Sequence, residues 1–143
     1  TVLTRRVEWL LNRWVDPSTI LVCTFTIAAA AELHERLGRR DVHVTTLHGG
    51  AHSELRRHHA LVGLTQDFSV YDAIDADAIA AGVADDLGLK VRQRAAVMKN
   101  PAAAQLYQQR IREANGIDYD TLLDDLRKLL DHPAAGPAIR ARC

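Results

Sequence analysis

Ile20-Leu-Val-Cys-Thr-Phe25, then Ile27 to Leu37, then Val42-His-Val-Thr-Thr46 is the stretch that decides the fold. The first run is short, continuous and apolar, and it follows an Asp16-Pro17-Ser18 turn. That pattern suits a strand buried on both faces of a parallel sheet. The Ala-rich run that follows has helical character and stops at Gly38. The third is dominated by β-branched residues, which favour a second strand. Strand, helix and strand within about 30 residues make a βαβ unit, which implies a parallel sheet with a right-handed crossover.

Upstream, Val2, Leu3, Val7, Leu10, Leu11 and Trp14 fall at helical spacing, and Pro17 closes the run. This amphipathic helix opens without a capping residue, from which we expect that something upstream has been removed. Downstream, the chain reads as helix from Ala51 to Leu61, ended by Gly63. Beyond Phe68-Ser-Val-Tyr71 the β signal disappears. Ala73 to Leu87, Val91 to Lys99, Pro101 to Asn115 and Tyr119 to Leu130 all carry helical periodicity, with breaks at Gly88, Asn100-Pro101 and Asn115-Gly116. The chain is α/β first and all-α afterwards, with no internal repeat and no low-complexity linker.

At 143 residues the chain has room for one domain or part of one, and not for a two-domain motor. Its 18 Lys and Arg balance its 18 Asp and Glu, so the molecule has no overall bias toward nucleic acid or membrane. Any nucleic-acid binding must be local. Hydrophobic residues at 48% and charged residues at 25% are the proportions of a globular protein and exclude a disordered one. No apolar run is long enough to span a bilayer, and Thr-Val-Leu-Thr-Arg-Arg-Val-Glu lacks the apolar centre of a signal peptide, so we expect a cytoplasmic protein. Cys23 and Cys143 make neither a disulfide framework nor a metal knuckle, and both are expected to be reduced.

Four segments carry a family resemblance. Thr24-Phe25-Thr26-Ile27-Ala28-Ala29-Ala30-Ala31-Glu32-Leu33 resembles the motif T-F-T-N-K-A-A-x-E-M of UvrD/Rep/PcrA-type superfamily 1 DNA helicases. Thr45-Thr46-Leu47-His48-Gly49-Gly50-Ala51-His52 resembles their T-F-H-G-x-A-H stretch. Leu55 to His59 and Gln66 to Asp72 look like the passage into that family's helical insertion. Asn115-Gly-Ile-Asp118-Tyr-Asp-Thr-Leu-Leu123 is similar to its N-x-x-D-F-x-x-L-L return signature. The order is the family's and the coverage is nearly complete.

The resemblance implies an α/β fold, a partial RecA-like P-loop NTPase parallel sheet followed by an all-α inserted subdomain. Residues 1–66 would be part of the motor domain, 67–117 the helical insertion and 118–143 the return toward the next strand. In the family, the helix beginning V-L-x-x-R-I directly follows the Walker A phosphate loop, and the D-E-x-x-D strand would come after Cys143. The chain is therefore expected to be an internal piece that holds neither ATP-site motif. No G-x-x-x-x-G-K-[ST] occurs in it. Asp124-Asp125 imitates a Walker B ending, but it sits in a helical pattern and reads as a solvated helix face. ATP and magnesium are expected for the parent protein and no cofactor for this chain, which alone should not be an enzyme.

The chemistry in reach is single-strand DNA binding, which needs aromatic faces for bases and amide or hydroxyl donors for phosphates. Thr24, Phe25 and Thr26 lead from a strand into a helix start, where unpaired amides favour an anion. Phe25 either stacks on a base or lies in the core while Thr26 merely caps; the resemblance favours the first. Thr46, His48 and Gly49 follow the second strand in the same way, Gly49 allowing close backbone approach and His48 donating to phosphate. Arg56 and Arg57, beside His58 and His59, form a basic spot that is either a DNA contact or a solvated helix face. His48 with His52, or the His58-His59 pair, lacks the Cys or carboxylate that would complete a familiar metal set.

Ile27 and Ala28 stand where the family has Asn and Lys, Leu47 replaces its aromatic, and the insertion looks short between Leu89 and Leu106. These departures weaken the expected DNA contact and leave open a stand-alone DNA-binding or protein-interaction module derived from a helicase. A purely structural helical domain is the third reading. The implied partners are single-stranded DNA or a single-strand/duplex junction and the rest of the motor, with no membrane. The isolated chain is expected to self-associate through the apolar strand surfaces of Leu21, Val22, Val42 and Val44.

Overall fold

The computed structural model describes residues 2–142. It divides into two compact units, Thr1–Glu54 with Leu126–Cys143, and Leu55–Asp125.

The first unit holds the βαβ arrangement. Helix α1 (Val2–Leu11) is followed by a 3₁₀ turn at Pro17–Thr19, strand β1 (Leu21–Thr24), helix α2 (Ile27–Leu37) and strand β2 (His43–Thr46). Asp16 starts the 3₁₀ turn by accepting from the Ser18 amide at 2.9 Å, with Pro17 supplying the fixed φ that the first position prefers. Gly38 ends α2 in the left-handed conformation at φ 60°. β1 and β2 pair in parallel, Leu21 with His43 through Thr24 with Thr46. Val7, Ile20, Val22, Leu33 and Val42 are buried together, with Leu10, Leu11, Val15, Leu37 and Val44 packed against them.

Three expectations are corrected here. The first strand is buried on one face only: Val22 points inward while Leu21 and Cys23 are exposed, because among the described residues helices cover only one side of a two-stranded sheet. Val22 and Val42, expected at a self-association surface, lie inside the core, and of the four residues named for that role only Leu21 is exposed. Trp14 does not continue the apolar face of α1. The helix stops at Leu11, with the Trp14 amide bonded to the Leu11 carbonyl at 3.0 Å and the Val15 amide to the Leu10 carbonyl at 3.3 Å. This is a Schellman turn with Trp14 at the left-handed position, φ 62°, where glycine is usual. Val2 and Leu3 are also exposed. Cys143 lies outside the described residues.

Helix α3 (Leu47–Arg57) begins directly at the end of β2, four residues earlier than its periodicity suggests, and gives way to a 3₁₀ turn at His59–Val62. The second unit then runs through strand β3 (Ser69–Tyr71), helix α4 (Ala73–Asp86), a single turn α5 (Arg94–Val97), helix α6 (Pro101–Glu113), strand β4 (Gly116–Asp118) and into helix α7 (Tyr119–Asp131). The division between units falls within α3 and α7. Helix α8 (Gly136–Ala141) closes the described chain in the first unit.

The second unit is not purely helical, as the sequence suggested it would be. β3 and β4 form a parallel ladder, Ser69 with Gly116 through Tyr71 with Asp118. Three-residue strands are too short to show alternation, which is why β4 left no periodic signal. A second helix forms only in part: Val91 to Gln93 stay outside α5, which spans four residues. Ala76, Ala80, Val83, Val97, Tyr107 and Ile111 make the core between α4, α5 and α6. Small alanines on α4 permit this close helix packing, with Val83 and Ile79 as its larger apolar contacts. Among the described residues, no helix is long and apolar enough to cross a membrane.

Candidate nucleic-acid interface

The parallel register ends β1 and β2 on one rung, Thr24 beside Thr46. Both strand-to-helix turns therefore leave the same carboxyl edge of the sheet, and α2 and α3 start there side by side. Thr24 Oγ1 donates to the Thr26 carbonyl at 3.0 Å, and Thr26 Oγ1 accepts from the Ala29 amide at 3.1 Å. Thr26 thus caps α2 from extended backbone geometry. Thr46 Oγ1 does the same for α3, accepting from the Gly49 amide at 3.0 Å.

Phe25 sits between the two threonines of the first turn and is 94% exposed. The alternative that placed it in the core is overturned, while the capping role assigned to Thr26 holds. Ile27 is exposed beside it. His48 and Gly49 are not in a loop, as the sequence suggested, but in the first turn of α3. His48 is half-buried and Gly49 exposed. A Cβ on Gly49 would stand 2.6 Å from Thr45 Oγ1 and 3.1 Å from Thr46 Oγ1, so glycine here leaves room for the capping Thr46 hydroxyl and its neighbour. An open groove of about 530 Å³ runs between the two helix starts, lined by Ile27, Ala31, His34, Val44, Thr46 and Gly49 among others.

Arg56 and Arg57 are exposed and belong to the second unit. The Arg56 guanidinium lies 5.7 Å from the centre of the Phe68 ring. His59 Nδ1 is 3.0 Å from the Leu64 carbonyl, which accounts for it as a turn contact. Among the described residues, no three His, Cys, Asp or Glu side chains gather as a metal site would require.

The return signature at Asn115 to Leu123 has a different character. Asn115 takes the left-handed conformation at φ 50°, accepts from the Thr65 amide at 2.9 Å and donates to Thr65 Oγ1 at 2.6 Å. A Cβ on Gly116 would fall 2.2 Å from the Tyr71 ring, so the β3–β4 pairing requires glycine there. Asp118 is 2% exposed. Its Oδ1 accepts from the Thr121 amide at 2.8 Å while its own amide donates to Thr121 Oγ1 at 3.3 Å, a reciprocal cap on α7. Its Oδ2 accepts from the Tyr107 hydroxyl at 2.6 Å and from Arg94 at 2.7 Å. Arg94 also reaches Asp120, and its Nε donates to the Tyr107 hydroxyl at 3.0 Å.

Burial alone would raise the Asp118 pKa. The bonds from Thr121 and Tyr107 and the charge of Arg94 outweigh it and hold the carboxyl below its ordinary range. Burial and the bond to Asp118 push the Tyr107 hydroxyl upward. Burial opposes the Arg94 charge, but Asp120 and Asp118 more than compensate and raise its pKa. The Asp124-Asp125 reading is corrected in part. Asp124 is exposed as a solvated face requires, but Asp125 is 2% exposed and paired with Arg112 from α6. The Arg94, Tyr107 and Asp118 cluster escaped the sequence reading because its members lie on three elements far apart in the chain.

The architecture defines the class: a partial RecA-like α/β domain with parallel strands, followed by a helical part. The profile of the UvrD/REP helicase N-terminal domain matches residues 1–100, and the chain belongs to that family. It is 31% identical to the ATP-dependent DNA helicase UvrD1 of Mycobacterium tuberculosis, over 87% of this chain and 21% of that protein. It is 40% identical to DNA helicase II of Escherichia coli over 52% of this chain and 11% of that one. For the ATP-dependent DNA helicase PcrA of Bacillus subtilis the figures are 33%, 62% and 13%. The chain spans about one fifth or less of the length of these relatives. The UvrD1 alignment runs over 163 positions, more than the 143 residues here, so that relative carries residues with no counterpart in this chain.

Proposed function

We propose that this chain is part of an ATP-dependent DNA helicase or translocase moving 3′ to 5′, and that its share of the work is to hold single-stranded DNA. Thr24, Phe25, Thr26, Thr46, His48 and Gly49 form the contact; Arg56 and Arg57, on the second unit, are a separate contact for phosphates. The observation that carries the reading is Phe25, almost fully exposed between two hydroxyls at a helix start. An exposed aromatic has no packing role, whereas a stacked base would cover its face. Amides at the starts of α2 and α3 favour a phosphate alongside. Strands and caps hold both turns rigid, so little ordering is needed on binding.

In this reading residues 1–66 belong to the motor, 67–117 to the insertion and 118–143 to the return. ATP and Mg²⁺ are held by parts of the parent protein outside this chain, which is cytoplasmic and meets its DNA at a single strand or a junction. The outward face of β1 around Leu21 meets the remainder of the motor, and in the isolated chain it promotes self-association.

The test is fluorescence anisotropy of a labelled single-stranded oligonucleotide with the full chain across a salt series. We expect binding that weakens with salt, and roughly five-fold or greater weakening in Phe25→Ala, with a smaller loss in His48→Ala. Binding by the folded chain that is indifferent to both substitutions would remove the turns from the DNA contact.

A further inference from the structure

The outward face of α1 and the turn that closes it carry a second arrangement of cations and aromatics. The Trp9 ring has the Arg6 guanidinium 4.2 Å from its centre and that of Arg13 at 4.0 Å. The two arginines come from the turns before and after it. At about 100° per residue, Trp9 lies roughly 160° around the helix from buried Val7, with Arg5 close beside it and Glu8 turned away. Arg5, Arg6 and Arg13 are all exposed and none pairs with a carboxylate among the described residues. In a chain of no net charge, this is a local concentration of positive charge.

Trp14 adds the second observation. It is 95% exposed, carries no ring contact, and is held in a left-handed backbone conformation that glycine would adopt without strain. A large aromatic kept at a strained position, with its faces open to solvent, is what a stacking platform requires. The Arg6–Trp9–Arg13 stack meanwhile fixes two guanidinium groups whose outer edges remain free for phosphate oxygens.

We propose that this face is a second binding surface for single-stranded nucleic acid, with a base stacked on Trp14 and successive phosphates held by Arg13 and Arg6. An aromatic platform beside fixed guanidinium groups matches the alternation of base and phosphate along a strand, whereas an acidic peptide has no use for the open indole. The inference stands on α1 and the turn that closes it, and does not rest on the role given to Phe25.

The test titrates oligothymidylate against the full chain while following anisotropy and tryptophan emission. The protein has two tryptophans, both on this surface, so their quenching reports it directly. Trp14→Gly is expected to raise the melting temperature while weakening binding roughly five-fold. Arg6→Gln with Arg13→Gln is expected to lower the salt dependence by about two counterions. Quenching that persists in Phe25→Ala supports this surface even where the turn reading fails. Unquenched emission, or unchanged affinity and salt slope in these variants, overturns the proposal. So does polyglutamate that competes as well as the oligonucleotide, which would assign the face to an acidic protein.

Discussion

The carboxyl edge of the β1–β2 sheet and the Asn115 to Leu123 segment both match signatures of one family, yet they are built in opposite ways. In the return segment the buried and half-buried polar side chains are satisfied internally: Asp118 accepts from Thr121, Tyr107 and Arg94, and Asn115 clasps Thr65. At the carboxyl edge the hydroxyls are spent on capping, but the aromatic side chain, Phe25, is left in solvent with Ile27 beside it. The first is a device for folding and the second a surface for binding. A motif match does not separate these roles; burial and hydrogen-bond saturation do.

The contrast breaks most sharply at Asp118. Asp118→Ala would leave the Tyr107 hydroxyl without its acceptor, Thr121 without its cap and Arg94 with Asp120 alone, and a loss of about 3 kcal/mol is expected in urea unfolding. Because the folded-state pKa of Asp118 lies below its ordinary value, its contribution is fully present above the ordinary aspartate range. It fades as pH falls through the depressed value. Urea midpoints between neutral pH and pH 2 should therefore drop on the acid side, and Asp118→Asn should flatten that limb. Smaller effects belong to the caps. Thr26→Ala and Thr46→Ala each remove one acceptor at a helix start and should cost about 1 kcal/mol, visible as a modest fall in the unfolding midpoint. Phe25→Ala should change stability by no more than about 0.5 kcal/mol, since nothing packs on the ring. A large loss there would erase the distinction between the two regions.

Much of this was legible in the sequence. The βαβ unit follows from two β-branched or apolar runs around an Ala-rich helix ended by Gly38, and the caps follow from threonines placed before helices. Other features were not. Strand β4 is three residues long and gains its strand character from pairing with β3, a contact between segments far apart in the chain. The buried state of Asp125 depends on Arg112, which no local pattern predicts. Trp14 fits the apolar spacing of α1 and leaves the helix only because the chain turns left-handed there. The start of α3 at Leu47 was hidden by Gly49 and Gly50, both poor helix formers; Thr45 and Thr46 crowd the position of Gly49. The Arg6, Trp9 and Arg13 spacing was present in the sequence and is the one signal that reading by motif passed over.

The most direct test of the account is photocrosslinking of the full chain to a single-stranded oligonucleotide carrying 5-iododeoxyuridine, with the adducts mapped by peptide mass. The account predicts adducts at Phe25, with His48 as a second point of attachment and Trp14 labelled where the α1 surface also binds, and none at Tyr107 or Tyr71. Efficient crosslinking to the folded chain with no adduct at Phe25 or His48, whether or not Trp14 is labelled, would contradict the role given to the carboxyl edge.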